Sequence, residues 1–207
     1  GTTLTGVGNN GGRIGILNTG FSNVNLVNCN VDSFSAPVWI DNSSNVSLQN
    51  ISISGSGNGV IIENSNNTVL DNFTFSNGTL DGTPALWIDN SLNTTISNGI
   101  VSNYDEALYL STAANNTVIT NVTVNTANTG LQLGGVNNSL AISAINVNGT
   151  AIRLLEGAVN NSINFTSLSN NVLDLNITDF ANSVYGNVFR GNFTSLFYNV
   201  SNSTQSQ

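Results

Sequence analysis

The chain of 207 residues has no Lys, no His and no Met, with three Arg, two Pro and a single Cys. Each shortage excludes something. Charged residues make up 7% of the chain and the net charge is −8, so nothing here neutralises a phosphate backbone and nucleic acid is excluded as a partner. The same shortage removes the basic patch that an anionic membrane surface attracts. No apolar run approaches the roughly 18 residues that a spanning helix needs, which excludes membrane insertion by helices. Cys29 stands alone and cannot form an intrachain disulfide; it reads as a small buried apolar residue, or else as half of an interchain bridge. The chain begins at Gly1 with neither an initiator Met nor a signal-like segment, as expected of a processed or trimmed form.

What the chain does have is a repeat. VWIDNS at 38–43, VIIENS at 60–65 and LWIDNS at 86–91 mark a unit of about 22 residues that runs from near Ile14 to the end. Its first run centres on the pairs Ile14/Ile16, Val38/Ile40, Val60/Ile62, Leu86/Ile88, Leu108/Leu110, Leu131/Leu133, Ile152/Leu154, Leu173/Leu175 and Leu196/Tyr198. A second run follows at Val24/Leu26, Val46/Leu48, Val118, Leu140/Ile142 and Ile163/Phe165. A third carries Cys29/Val31, Ile51/Ile53, Phe73/Phe75, Val122/Val124 and Ile145/Val147. Alternation with period two, rich in Val and Ile and broken by Asn, Gly and Ser, describes short strands with one face inward. Units this short cannot bury that face alone and must stack into a solenoid.

The expected fold is therefore all-β: a right-handed parallel β-helix of about eight to nine coils, three short strands per coil. Asn recurs at both bends. Asn23, Asn45, Asn67, Asn93, Asn116, Asn138, Asn161 and Asn182 precede the second run, and Asn28, Asn50, Asn72, Asn98, Asn121 and Asn187 precede the third. Asn tolerates the left-handed conformation of a sharp bend, and its amide can pair with its equivalent one coil away. The pattern over about residues 13–200 resembles the right-handed parallel β-helix repeats of pectin-degrading enzymes, phage tailspikes, NosD-like periplasmic proteins and microbial surface proteins. The expected division is an edge and assembly segment at 1–12, the β-helix at 13–200 and a polar tail at 201–207.

Between the inward pairs of the first run lie Trp39, Ile61, Trp87 and Tyr109 on four consecutive coils, with Asp41, Glu63, Asp89 and then Ser111 two residues on. Both Trp residues fall in this stripe, and Pro37 and Pro84 each just precede one. Three readings compete: a lateral interface with another rod, a platform for glycans that stack on aromatics, and an aromatic ladder that stiffens the sheet. Asp41 and Glu63 would stand about 5 Å apart and Asp41 and Asp89 about 10 Å, near the separations of glycosidase carboxyl pairs. Like charges this close should raise one another's pKa unless a cation screens them. No cofactor is expected, apart from Ca²⁺ as a conceivable guest of Asp41, Glu63 and Asp89, which would not complete an oxygen cage.

Catalysis is set aside at this stage. The resemblance implies an Arg or Lys base in lyases and often a His in hydrolases, while Arg13, Arg153 and Arg190 lie on the wrong coils and Asp174 is expected to pair with Arg153. A copper role lacks soft ligands other than Cys29. The chain also holds about seventeen Asn-x-Ser/Thr sequons, many generated by the Asn bends themselves. Asn42, Asn77, Asn148, Asn199 and Asn202 lie in loops or after strands and are the better glycosylation sites. Neither end shows a capping helix, so Leu4, Val7 and Ile14 at one end and Leu196, Phe197, Tyr198 and Val200 at the other are expected to stack head to tail. The sequence reads best as a non-enzymatic extracellular structural protein whose main partner is itself, in a filament, sheath or surface layer. The alternative is a carbohydrate-binding or polysaccharide-degrading β-helix that uses the Trp and carboxylate stripe.

Overall fold

A computed structural model describes residues 2–6, 14–79, 82–141, 143–177, 182–185 and 187–190. Among them are twenty strands and no helix. The first runs form one sheet of eight strands, Ile14–Thr19, Ala36–Asp41, Val60–Glu63, Pro84–Asp89, Glu106–Leu110, Thr129–Leu133, Thr150–Leu154 and Leu173–Ile177, each beside the next. Every pairing is parallel and in register, so Val38 stands over Val60 and Val60 over Leu86. Eight strands make seven turns between first and last, a rise of about 34 Å at the spacing of neighbouring strands. The expected coil at 196–200 lies outside the described residues.

The core lies between this sheet and a twelve-stranded second one. The inward pairs from Val38/Ile40 through Ile152/Leu154 are all buried, as is Ile51/Ile53 opposite them. Removing these side chains from water is the main stabilising term for a fold with this few charges. Volumes are matched between coils. Phe73 fills the space beside Gly99, where an added Cβ would come within 2.0 Å of the Phe73 ring. Cys29 takes the same position two coils below Phe73 and is half-buried with a free thiol.

Three strands per coil, as expected, are found from Thr129–Leu133 onward, but not in the earlier coils. In the first five coils the second and third runs are one eight-residue strand: Asn25–Asp32, Ser47–Ser54, Val69–Ser76, Thr95–Ser102 and Val118–Asn125. Each turns at a central left-handed Asn, with φ of 58° at Asn28, 54° at Asn50, 53° at Asn72, 54° at Asn98 and 52° at Asn121. Further on the runs separate, as in Ser139–Ala141 and Ala144–Asn146. The cause is chemical. Ser143 and Asn187 sit inside this bend, where the Val122 N–H donates to Ser143 Oγ (3.3 Å) and the Thr166 N–H to Asn187 Oδ1 (2.8 Å). Side chains thus take over bonds that the strand ladder would otherwise make.

Two phases also differ from expectation. The bend residues above Asn116 are Asn137 and Asn160, both left-handed, whereas Asn138 and Asn161 point inward and are buried. They cap the backbone: Asn138 Nδ2 donates to the carbonyls of Ala114 and Gly134, and the Asn138 N–H donates to Asn161 Oδ1. Phe165, expected inward, is exposed at a φ of 47° in the bend position that Asn fills elsewhere. The amide ladders themselves are present along Asn23, Asn45, Asn67 and Asn93. Those on the second bend link Asn28, Asn50 and Asn72, after which Asn98 donates to Asp71 instead.

Of the end segments, Thr2–Thr5 forms a strand on Cys29–Asp32, with Leu4 over Val31 and packed against the core. Ile14 opens the first sheet, half-buried beside Ala36. Val7, Leu196, Phe197, Tyr198 and Val200 lie outside the described residues.

Candidate functional site

The outward stripe of the first sheet is longer than the sequence suggested. Register places Leu17, Trp39, Ile61, Trp87, Tyr109, Gln132, Arg153 and Asn176 one above another across all eight strands. They face outward because their neighbours, such as Val38 and Ile40, are drawn into the core and a strand alternates. Trp39, Ile61 and Tyr109 are half-buried, while Trp87 is 37% exposed. The Trp39 Nε1 is buried and has no hydrogen-bond partner. Trp87 and Tyr109 meet edge to face, with ring centroids 6.0 Å apart and an interplanar angle of 82°.

Asp41, Glu63 and Asp89 follow one another in register beside this stripe. Asp41 accepts from Asn64 Nδ2 at 3.1 Å. Ser111 does not continue the series, being buried with its Oγ accepting from the Ala113 N–H. Among the described residues no three carboxylates close on a common point where an ion could sit.

The feature that the repeat pattern did not single out is a cavity of about 260 Å³ lined by Gly82, Thr83, Pro84, Trp87, Glu106 and Tyr109. The coil between Phe75 and Trp87 is the one lengthened by insertion, and Gly82 and Thr83 of that insertion form one wall. Glu106 opens its strand in register with Pro84 below and Thr129 above. Its Oε1 is buried and without a partner. Burial pushes the Glu106 carboxyl up to about 7, against a smaller opposing effect from a Gln132 hydrogen bond; Asp105 adds to the rise and Arg153 opposes it. A Cβ at Gly82 would lie 3.6 Å from Asp105 Oδ2, so that carboxylate stands beside Gly82. Asn128 Nδ2 donates to the other Asp105 oxygen. The Tyr109 hydroxyl is likewise shifted up, by burial first and then by Glu106 and Asp89. One clue was available in the sequence: Asp105-Glu106 is the only adjacent pair of acids.

The remaining expected residues are scattered. Arg153 stands beside Gln132 and Asn176, while Asp174 accepts from Asn171 Nδ2 at 2.7 Å rather than serving Arg153. Asn42, Asn77 and Asn148 are exposed; Asn199 and Asn202 lie outside the described residues.

A family model for the right-handed beta helix region matches residues 3–144 and 36–207. The chain belongs to that family. Among curated proteins none matches it in sequence. Solved structures that resemble it include the tailspike protein of E. coli bacteriophage HK620 in complex with pentasaccharide, at TM-score 0.67 and 11% identity. A double mutant of that tailspike with pentasaccharide, an Asp and a Glu each replaced by Ala, gives TM-score 0.67 at 14% identity. In both, the likeness covers 82% of this chain and 39% of the tailspike, so the chain spans well under half the length of the proteins it resembles. This likeness corrects the exclusion of catalysis, which rested on the missing Lys and His.

Proposed function

We propose that the protein binds a polysaccharide along the outer face of the first sheet, outside the cell, and cleaves it at the Trp87–Tyr109 cleft. The observation that carries this is the aromatic-lined cavity that buries the Glu106 carboxyl, with its Oε1 unpartnered and the group pushed up to about 7. Sugar rings stack on aromatic faces, and hydrolysis of the bond between them needs an acid and a base. Water adds to the anomeric carbon as the bond to the leaving oxygen breaks. The leaving oxygen takes the proton of Glu106, and the water gives one to the Asp105 carboxylate. Retention on immobilised polysaccharides and release of reducing ends test this together. Trp87→Ala should weaken binding by roughly tenfold or more, about 1.4 kcal/mol. Glu106→Gln should keep binding and lose on the order of a hundredfold in cleavage. A Trp87→Ala variant that binds every glycan as well as the parent would end the proposal.

Self-association is a second reading, favoured by one observation: among the described residues no strand covers the outer edge of Thr2–Thr5. Sedimentation of the purified protein decides it, and a concentration-independent monomer rejects it.

A further inference from the structure

We infer that the glycan this cleft takes is an uncharged chain rather than an acidic uronate polymer. The inference rests on the glycan reading above and narrows it. The face around the cleft carries Asp41, Glu63, Asp89, Asp105 and Glu106. Arg153 is the one cation described in the same stripe, two coils beyond Tyr109. A uronate polymer brings a carboxylate with every sugar, and the acidic column it would lie along repeats with every coil, about 4.8 Å apart. Each would face a like charge with no Lys or His to offset it.

Inside the cleft the chemistry suits hydroxyls. Trp87 and Tyr109 offer apolar rings, and Glu106 Oε1 is a buried oxygen that nothing in the protein satisfies. Protonated there, Glu106 would donate to a sugar oxygen entering the cavity and remove that deficit. The groups acting on Glu106 are Gln132 by hydrogen bond, Asp105 and Arg153 by charge, and Tyr109 beside it; Pro84, Trp87 and Thr129 add no charge. Covering the cleft with a neutral sugar takes more water from the carboxyl and favours its protonated form. Binding of an uncharged glycan should therefore weaken above pH 7, by up to about tenfold per pH unit for one linked proton.

The test compares retention of galactomannan, xyloglucan and dextran with that of polygalacturonate and alginate at pH 6 and pH 8.5, in the full chain and in its Trp87→Ala and Glu106→Gln variants. The expected result is Trp87-dependent retention of at least one uncharged polymer and of neither acidic one. That retention should fall at least tenfold at pH 8.5 in the parent and stay level in Glu106→Gln. Glu63→Gln combined with Asp89→Asn should raise the retention of polygalacturonate. Trp87-dependent retention of an acidic polymer overturns the inference and leaves the glycan reading standing. Retention that is independent of Trp87 for every polymer overturns both.

Discussion

Glu106 leaves a signature in stability as well as in binding. Its carboxyl titrates near 4.5 in an ordinary setting and about 7 in the fold. The unfolded chain therefore binds fewer protons than the native one between those values, and stability is fully present below about 4.5 and falls as pH rises through 7. Glu106→Gln removes that dependence. The variant should melt above the parent at pH 8 and level with it at pH 4.5, measured by calorimetry at both values. Equal losses in both proteins on going from pH 4.5 to 8 would mean that the carboxyl is solvated as usual. Asp71 is the opposite kind of acid: hydrogen bonds from Ser97, then Asn98, hold it below the ordinary carboxylate range on the exposed second sheet. An acid's neighbours, rather than its position in the repeat, separate a proton carrier from a scaffold residue.

At the scale of strands and bends, two substitutions probe how the coils hold together. Gly99→Ala drives a methyl into the Phe73 ring and should cost about 1–3 kcal/mol in chemical denaturation. Phe73→Leu in the same chain should recover part of that loss, because it vacates the space. Asn72 is left-handed at a φ of 53° and donates to Asn50. Asn72→Ala should cost about 1–2 kcal/mol from the strained backbone and the lost amide bond, and Asn72→Gly clearly less. Strand existence and inward pairs were legible in the sequence because alternation is imposed by burial. Phase within the bends was not. Asn137 and Asn138 are adjacent and identical in type, yet one turns the chain and the other caps the interior. Phe165 reads as core by its chemistry and is exposed because it falls on a bend. Trp39, Trp87 and Tyr109 were found because their repeat spacing survives stacking. Glu106 escaped because, although the long step from Val60 to Leu86 marks the inserted loop of about residues 76–84, spacing does not say which side chain of the neighbouring coil that loop encloses.

Across the whole molecule, seven turns of parallel strand carry one continuous outer column, and each coil touches chiefly its neighbours. Changes at one end should therefore leave the cleft intact. Deleting residues 2–5, a largely exposed strand, should leave Trp87-dependent glycan binding within twofold of the parent by titration. A collapse of binding would show that the first coil supports the site through the stack. The family defines the rod, and the cleft lies on the fourth and fifth strands of its first sheet. The most direct measurement is tryptophan fluorescence during titration with an uncharged oligosaccharide, in chains carrying Trp39→Phe or Trp87→Phe. A saturable change in the protein that keeps Trp87, and none in the one that keeps only Trp39, is the expected outcome. A response from Trp39 alone, or from neither, would contradict the placement of the site.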